Sequence, residues 1–324
     1  MNNMNVVVTF YLAENERYLY KEALEKKANV IFLKDVNKED REKVLEQADM
    51  LLTWNVMKEL NVAEKTLFNR LRFVQLLSAG YDHLNFNAFP VDCLIAANQG
   101  AYAEPMAEHI VAMVLAFSKR LLINHKKLLQ GEFDQTTLNR SLKNLVAGII
   151  GFGGIGKAAA RLLKYFGVNS LVVNTSGTTD EDVEFIGTLK DLDYVLSKSD
   201  IVILSIPLNN LTKGFIGKRE LELMKPNAIL INVARGDLIV EKDLFDHLVS
   251  NPEFSAGIDA WWIEPFRNGE FRLNFPFLDL PNVIGSPHNS AFIANSLIDG
   301  QKRAVENILN FLENKPVRGI IKRI

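Results

Sequence analysis

An arginine, a glutamate and a histidine each follow a short apolar run in the C-terminal half of this chain. Ile229-Leu230-Ile231-Asn232-Val233 delivers Ala234-Arg235-Gly236, Phe254-Ser255-Ala256-Gly257-Ile258 leads to Asp259 and then Glu264-Pro265, and Val283-Ile284-Gly285 leads to Ser286-Pro287-His288. If these runs are neighbouring parallel strands, residues far apart in sequence meet along one carboxyl edge of a sheet, where open α/β sheets bind ligands. A guanidinium there can take a carboxylate in a two-pronged, charge-assisted contact and polarise an adjacent carbonyl. An imidazole can hand a proton to the carbonyl oxygen while hydride arrives at the carbon, and the glutamate can orient that imidazole and stabilise its protonated form. Pro287 limits the backbone freedom of the histidine. Singly, Arg235 also fits an exposed cation, Glu264 a surface acid before a proline turn, and His288 a satisfied structural histidine. Jointly they suit reduction of a 2-keto acid.

Such chemistry needs a hydride carrier. Val146-Ala147-Gly148-Ile149-Ile150 runs into Gly151-x-Gly153-x-x-Gly156 and then into the Ala-rich Lys157-Ala158-Ala159-Ala160, which reads as strand, tight turn and helix. In a dinucleotide site the first glycine allows the turn, the second lets backbone approach a pyrophosphate, and the third lets helix pack on strand. The helix N-terminus adds unpaired N–H groups and a partial positive charge. The next strand, Ser170–Val173, ends at Asn174-Thr175-Ser176, where an NAD-selective site normally has an acid that binds the adenosine ribose and repels a 2′-phosphate. Asn174 lacks that charge, so NAD and NADP both remain open and NADP is favoured.

The elements that position these groups alternate. Strands are expected at Val6–Phe10, Val30–Phe32, Met50–Leu52 and Phe73–Leu77, with helices at Glu16–Lys26, Lys38–Gln47 and Met57–Asn69 between them, which argues for a parallel sheet. Ser78-Ala79-Gly80-Tyr81-Asp82 is a turn of small residues at a strand's carboxyl end, either a structural turn or backbone open to an anion such as a carboxylate. Asn98-Gln99-Gly100 reads as a hinge, and a long helix is expected from Pro105 to Lys119. His109 reads as a packing residue with Met113, and His83 and His125 have no partners at metal spacing. No metal site is expected.

At 324 residues the chain fits two domains. A net charge of −2 without a basic block gives no nucleic-acid or anionic-membrane footprint. One cysteine, Cys93, makes no internal disulfide and fits a reducing compartment. The polar start Met1-Asn2-Asn3-Met4-Asn5 lacks a secretory pattern, and no apolar run approaches a membrane span, so a cytoplasmic protein acting on a small molecule is expected.

The ordered set Ser78-Ala79-Gly80-Tyr81-Asp82, Ala107-Glu108-His109, the glycine loop, Ser205-Ile206-Pro207, Asn232–Gly236, Asp259 with Glu264-Pro265, and Ser286-Pro287-His288 resembles the D-isomer-specific 2-hydroxyacid dehydrogenase family over nearly the whole chain. That family includes glyoxylate, hydroxypyruvate and phosphoglycerate-type enzymes. The resemblance implies that Arg235 binds substrate, His288 is the acid/base and Glu264 its partner. It implies that the backbone of Ala79 and Gly80 holds the substrate carboxylate, and that Asp259 contacts the nicotinamide carboxamide. Gly151, Gly153, Gly154, Ile155, Gly156, Asn174, Thr175, Ser176, Pro207, Ala234, Arg235 and His288 then lie beside the dinucleotide. It also implies two Rossmann-like doubly wound domains: a substrate domain of 1–99 and 292–324, flavodoxin-like, with a dinucleotide-binding domain of 100–291 inserted into it. A C-terminal helix over Ile293–Asn314 returns to the first domain, substrate binds in a cleft that closes, and the family pairs as homodimers through the nucleotide domain.

Trp261-Trp262 is bulkier than the common family pattern and resembles formate dehydrogenases, which pair their histidine with glutamine; Glu264 argues against formate oxidation. A second reading is a nicotinamide-sensing binding protein, because corepressors of this fold retain the same three residues. Tyr81, Tyr102 and Trp261 are candidates for either pocket lining or packing.

Overall fold

The computed structural model describes residues 4–294 and 296–321. Of the polar start, Met1-Asn2-Asn3 lies outside the described residues, and Met4 and Asn5 open the first strand. The chain divides into two compact units, one of Met1–Tyr102 with Ile293–Ile324, the other of Ala103–Phe292.

The first unit contains β1 (Met4–Val8), α1 (Glu14–Leu24), β2 (Ala28–Phe32), α2 (Lys38–Glu46), β3 (Met50–Thr53), α3 (Val56–Glu59), β4 (Phe73–Leu76) and β5 (Leu94–Ala96). These five strands pair in parallel, in the order β2-β1-β3-β4-β5, and Ile320 adds an antiparallel bridge to Ala96 of β5. This is a doubly wound order of the flavodoxin type. Both faces are covered, so successive strand residues enter different cores. Val6, Val8, Met50, Leu52 and Phe73 pack on one side, and Val7, Leu51 and Val74 on the other.

The helix expected over Met57–Asn69 is shorter. α3 stops where Leu60 becomes extended (φ −114°, ψ 147°), and a separate 3₁₀ turn covers Glu64–Thr66. The Asn61 side chain accepts from the Glu64 N–H (2.9 Å) while Glu64 accepts from the Asn61 N–H (2.9 Å), a reciprocal cap that starts a new turn in place of continuing the old one.

The second unit runs through α4 (Ala103–Ser118), α5 (Leu121–Leu129), β6 (Val146–Ile150), α6 (Gly154–Tyr165), β7 (Asn169–Val173), β8 (Phe185–Gly187), α7 (Leu192–Lys198), β9 (Ile201–Leu204), α8 (Lys218–Leu223), β10 (Ile229–Asn232), α9 (Glu241–Ser250), β11 (Ser255–Ile258), α10 (Pro265–Asn268) and β12 (Val283–Gly285). Its seven strands are parallel in the order β12-β11-β10-β9-β6-β7-β8. The order reverses between β6 and β9, the dinucleotide crevice of the Rossmann arrangement. α4 closes on β11 where Gly257 leaves room, since a Cβ there would lie 2.8 Å from Met113 Sδ. α11 (Ser296–Leu312) then returns to the first unit, placing Ala304, Val305 and Ile308 in its core and stacking Phe311 on Phe73 at 4.7 Å.

Candidate active site

The strand register of the second unit sets the site. Val173 pairs with Ile150, Ile150 with Leu204, Leu204 with Asn232, Asn232 with Ile258, and Ile258 with Gly285. Six strands thus end on one line. The residues immediately beyond are Asn174, Gly151, Ser205, the Val233–Arg235 segment, Asp259 and the Ser286–His288 segment, so the chemistry-bearing residues read from sequence share one carboxyl edge.

At the crevice, Gly151 has φ +99°, and a Cβ there would lie 2.7 Å from the Ser205 backbone. Ser205 Oγ donates to the Gly151 carbonyl at 2.7 Å, tying the β9 end to the turn. A Cβ at Gly156 would lie 2.4 Å from Gly151 O, so that glycine serves the contact of α6 with β6. Gly153, the N-cap of α6, differs: a Cβ there meets nothing within 4 Å. Two of the three glycines are explained by the protein's own packing. The third faces open space at a helix N-terminus, the place where backbone must admit a phosphate. The loop therefore fits a dinucleotide. Ile155 is half-buried on the first turn of α6, and Pro207 is exposed beyond β9.

Asn174 turns its amide into its own loop. Its Oδ1 accepts from the Ser176 N–H (3.1 Å), the Gly177 N–H (2.7 Å) and the Ser176 hydroxyl (3.2 Å), while Nδ2 donates to Thr178 O (2.8 Å). Thr175 and Ser176 remain exposed. Beyond the loop, Lys157, Arg161 and Lys164 of α6 pair with Asp180, Glu181 and Asp182 in sequence.

His288 Nδ1 lies 2.9 and 2.8 Å from the two carboxylate oxygens of Glu264. The carboxylate is 6 % exposed and the imidazole 32 %, so the pair is anchored at one end and open at the other. Glu264 is fixed twice more: Oε1 accepts from the Trp261 N–H at 2.6 Å, and its own N–H donates to Asn268 Oδ1 at 3.0 Å. His288 has φ +51°, a left-handed conformation unusual for a residue with a side chain. Such strain persists only where the surroundings over-determine it.

Asp259 does much of that. It is fully buried, and its carboxylate accepts from Ser286 Oγ (2.5 Å) and the N–H groups of Asn289 (3.1 Å) and Ser290 (3.2 Å), gripping the loop on both sides of His288. The side chain that the resemblance sets against the carboxamide thus also holds the histidine loop. Arg235 stands on a similar brace: buried Asn232 donates to Arg235 O (2.8 Å) and accepts from the Ala234 N–H (3.1 Å). Arg235 Nη1 donates to Ala234 O at 2.7 Å. Gly236 lies against the Trp261 and Trp262 backbone, where a Cβ would come within 2.5 Å, so the arginine segment abuts the loop that carries Glu264. Asn232 and Ser286 stand in the ordered set that carries the resemblance, but their bracing roles show only once the backbone path is traced.

Trp261 is packing. It is buried, donates Nε1–H to Ser286 O at 2.8 Å and fills the space over Gly285. Tyr102, in the first unit, is likewise buried and donates to Leu77 O at 2.8 Å. Ala79 and Gly80 are half-buried in a bend after β4, where Ser78 Oγ donates to Gly80 O at 2.8 Å. Among the described residues no group of three His, Cys, Asp or Glu side chains has metal-binding geometry, and no helix is long and apolar enough to cross a membrane.

Residues 111–290 match the family model for the NAD binding domain of D-isomer specific 2-hydroxyacid dehydrogenases. The chain is 30% identical over 253 residues to glyoxylate/hydroxypyruvate reductase B of Pectobacterium carotovorum, covering 76% of this chain and 77% of that protein. It is 30% identical over 266 residues to the glyoxylate reductase of Pyrococcus furiosus, covering 76% and 75%. Among solved structures, a glycerate dehydrogenase related protein from Thermoplasma acidophilum superposes with a TM-score of 0.64 at 28% identity, over 95% of this chain and 99% of that one.

Proposed function

Because the chain belongs to the D-isomer specific 2-hydroxyacid dehydrogenase family, nicotinamide-dependent enzymes acting on hydroxy-acid CH–OH groups, we propose that it reduces a small 2-keto acid, glyoxylate, hydroxypyruvate or a close relative, with His288 as the acid. The observation that carries this reading is the Glu264–His288 pair, bonded through Nδ1 and one-third open on its imidazole side, at the strand-end line that also carries Arg235 and the glycine loop.

A reduced nicotinamide, when bound, supplies a hydride to the keto carbon. Gly151, Gly153, Gly154, Ile155 and Gly156 would hold its pyrophosphate, with Pro207 and Ala234 at neighbouring strand ends. The protein's own part is to bind, orient and protonate. The Arg235 fork holds the substrate carboxylate and polarises the carbonyl. His288 donates its Nε2 proton to the carbonyl oxygen, completing the hydroxyl, and Glu264 stabilises the imidazolium before transfer. Asp259 acts through the histidine loop. For Ala79 and Gly80 we propose carboxylate contacts through their backbone N–H groups.

NADP is the proposed preference. Asn174 places no carboxylate at the end of β7, and beside Ser176 the exposed Thr175 hydroxyl can donate to a 2′-phosphate. A homodimer through the second unit is supported by exposed Leu121, Leu122, Leu128 and Leu129 on α5, with Phe133 and Leu138 beyond it. The lone buried cysteine, Cys93, supports a cytoplasmic setting.

The test is nicotinamide oxidation by the purified protein with glyoxylate, hydroxypyruvate, pyruvate and phenylpyruvate, each with NADH and NADPH. Turnover that falls at least about a hundredfold in His288→Ala, with dinucleotide affinity kept, is the expected result. Tight dinucleotide binding without turnover of any of the four would overturn the reductase reading in favour of a nicotinamide sensor.

A further inference from the structure

We propose that His109 is a positioning residue of the reaction centre, acting through the Ser286 hydroxyl and the buried Asp259 carboxylate to hold the loop that presents His288. The inference rests on His288 as the acid, and it uses a residue that sequence alone assigns to packing.

α4 lies over β11 at the Met113–Gly257 contact. His109 sits one helical turn before Met113 and reaches the loop beyond β12, with Nε2 2.9 Å from Ser286 Oγ and 3.9 Å from Asp259 Oδ1. A serine hydroxyl has one proton to give. At 2.5 Å that proton goes to the Asp259 carboxylate, which can only accept. Ser286 Oγ is then the acceptor from His109, which assigns the ring proton of His109 to Nε2. The order is fixed from end to end: the imidazole N–H donates to the hydroxyl, the hydroxyl donates to the carboxylate, and the Asn289 and Ser290 amides donate to the same carboxylate from the far side of His288. His288 is in the left-handed region, so its loop needs constraint on both sides. Asp259 gives it, and His109 sets the direction of the hydroxyl that forms the upstream half. Because the imidazole reaches Ser286 from α4, the histidine loop is braced from a helix as well as from the strands.

The experiment compares His109→Leu, His109→Gln, Ser286→Ala and the His109→Leu/Ser286→Ala double variant. Gln retains an N–H donor close to the Nε2 position. Two readouts are taken: amide hydrogen exchange at Asn289 and Ser290 in the cofactor-free protein, and kcat and KM for keto-acid reduction. His109→Leu is expected to speed exchange at both amides and to lower kcat about tenfold, the worth of one hydrogen bond, with KM for the dinucleotide unchanged. His109→Gln restores both, and the double variant is no worse than Ser286→Ala alone. Wild-type exchange in His109→Leu, no rescue by Gln, or additive losses in the double variant would each overturn the proposal. If the wild type turns over no keto acid, the functional reading has failed, while exchange still decides whether His109 braces the loop.

Discussion

Replacing Gly153 and Gly156 by alanine should separate binding from folding at one loop. At Gly153 the backbone is extended (φ −91°, ψ −155°), and the added methyl meets nothing within 4 Å. Two small terms oppose each other there: glycine is preferred to alanine at an N-cap, and alanine leaves the unfolded chain less entropy. Stability should therefore change by less than about 1 kcal/mol. The methyl does occupy the space where backbone would meet the pyrophosphate. Losing one charge-assisted N–H contact costs about 1.5–3 kcal/mol, so dinucleotide affinity should fall roughly 10- to 100-fold. At Gly156 the methyl would lie 2.4 Å from Gly151 O and 3.0 Å from Ile149 Cγ2, and backbone must move. Overpacking of this kind costs about 1–3 kcal/mol, a fall in Tm of roughly 2 to 12 °C. Thermal unfolding of each variant, with fluorescence titration of NADH and NADPH, reads both quantities. A Gly153→Ala protein that binds dinucleotide as the wild type does would refute the argument that this open face is the phosphate approach, and an unshifted Tm in Gly156→Ala would refute the packing argument.

Arg235→Lys keeps the charge and loses the planar fork, so kcat/KM for the keto acid should fall at least about tenfold while the dinucleotide Kd stays within about twofold; steady-state kinetics beside a binding titration checks this. Glu64 is buried, and the hydrogen bond from Arg41 holds its carboxyl below the usual range. Its ionised form therefore contributes stability above pH about 4.5, and the contribution is lost as pH falls through the lowered value. Glu64→Gln should flatten the acid limb of the stability–pH curve in denaturant titrations and leave neutral pH with only the loss of the ion pair. Leu129→Glu with Phe133→Glu should turn a dimer into monomers by sedimentation, and a wild type already monomeric would remove the dimer proposal.

What could be read from the sequence is what the chemistry restricts to a few residue types. A pyrophosphate turn needs glycine at fixed spacing, and proton transfer to a carbonyl oxygen needs a group such as histidine with a partner. Gly151, Arg235, Glu264 and His288 therefore announce themselves, and apolar runs before them give the strands. Asn232, Ser286 and His109 stand in the same ordered motifs without announcing what they do, because any of several polar residues could stand there and their roles exist only once β10, β11, β12 and α4 are side by side. The same limit applies to local structure. The helical composition of Met57–Asn69 conceals the reciprocal Asn61–Glu64 cap that breaks it, and β5 and β8, three residues each, are too short to show a period.

The return of α11 to the first unit has a consequence for the order in which the protein folds. β1 to β5 leave the ribosome first, yet Ala304, Val305 and Ile308 of their core, and the Phe311 ring that stacks on Phe73, follow only after roughly 190 further residues of the inserted unit. At synthesis rates of about 5–20 residues per second, that face waits on the order of 10–40 s for its cover. The inserted unit is contiguous and can complete its core first. The usual N-terminal-first sequence is thereby reversed: the sheet made before the inserted unit is sealed after it.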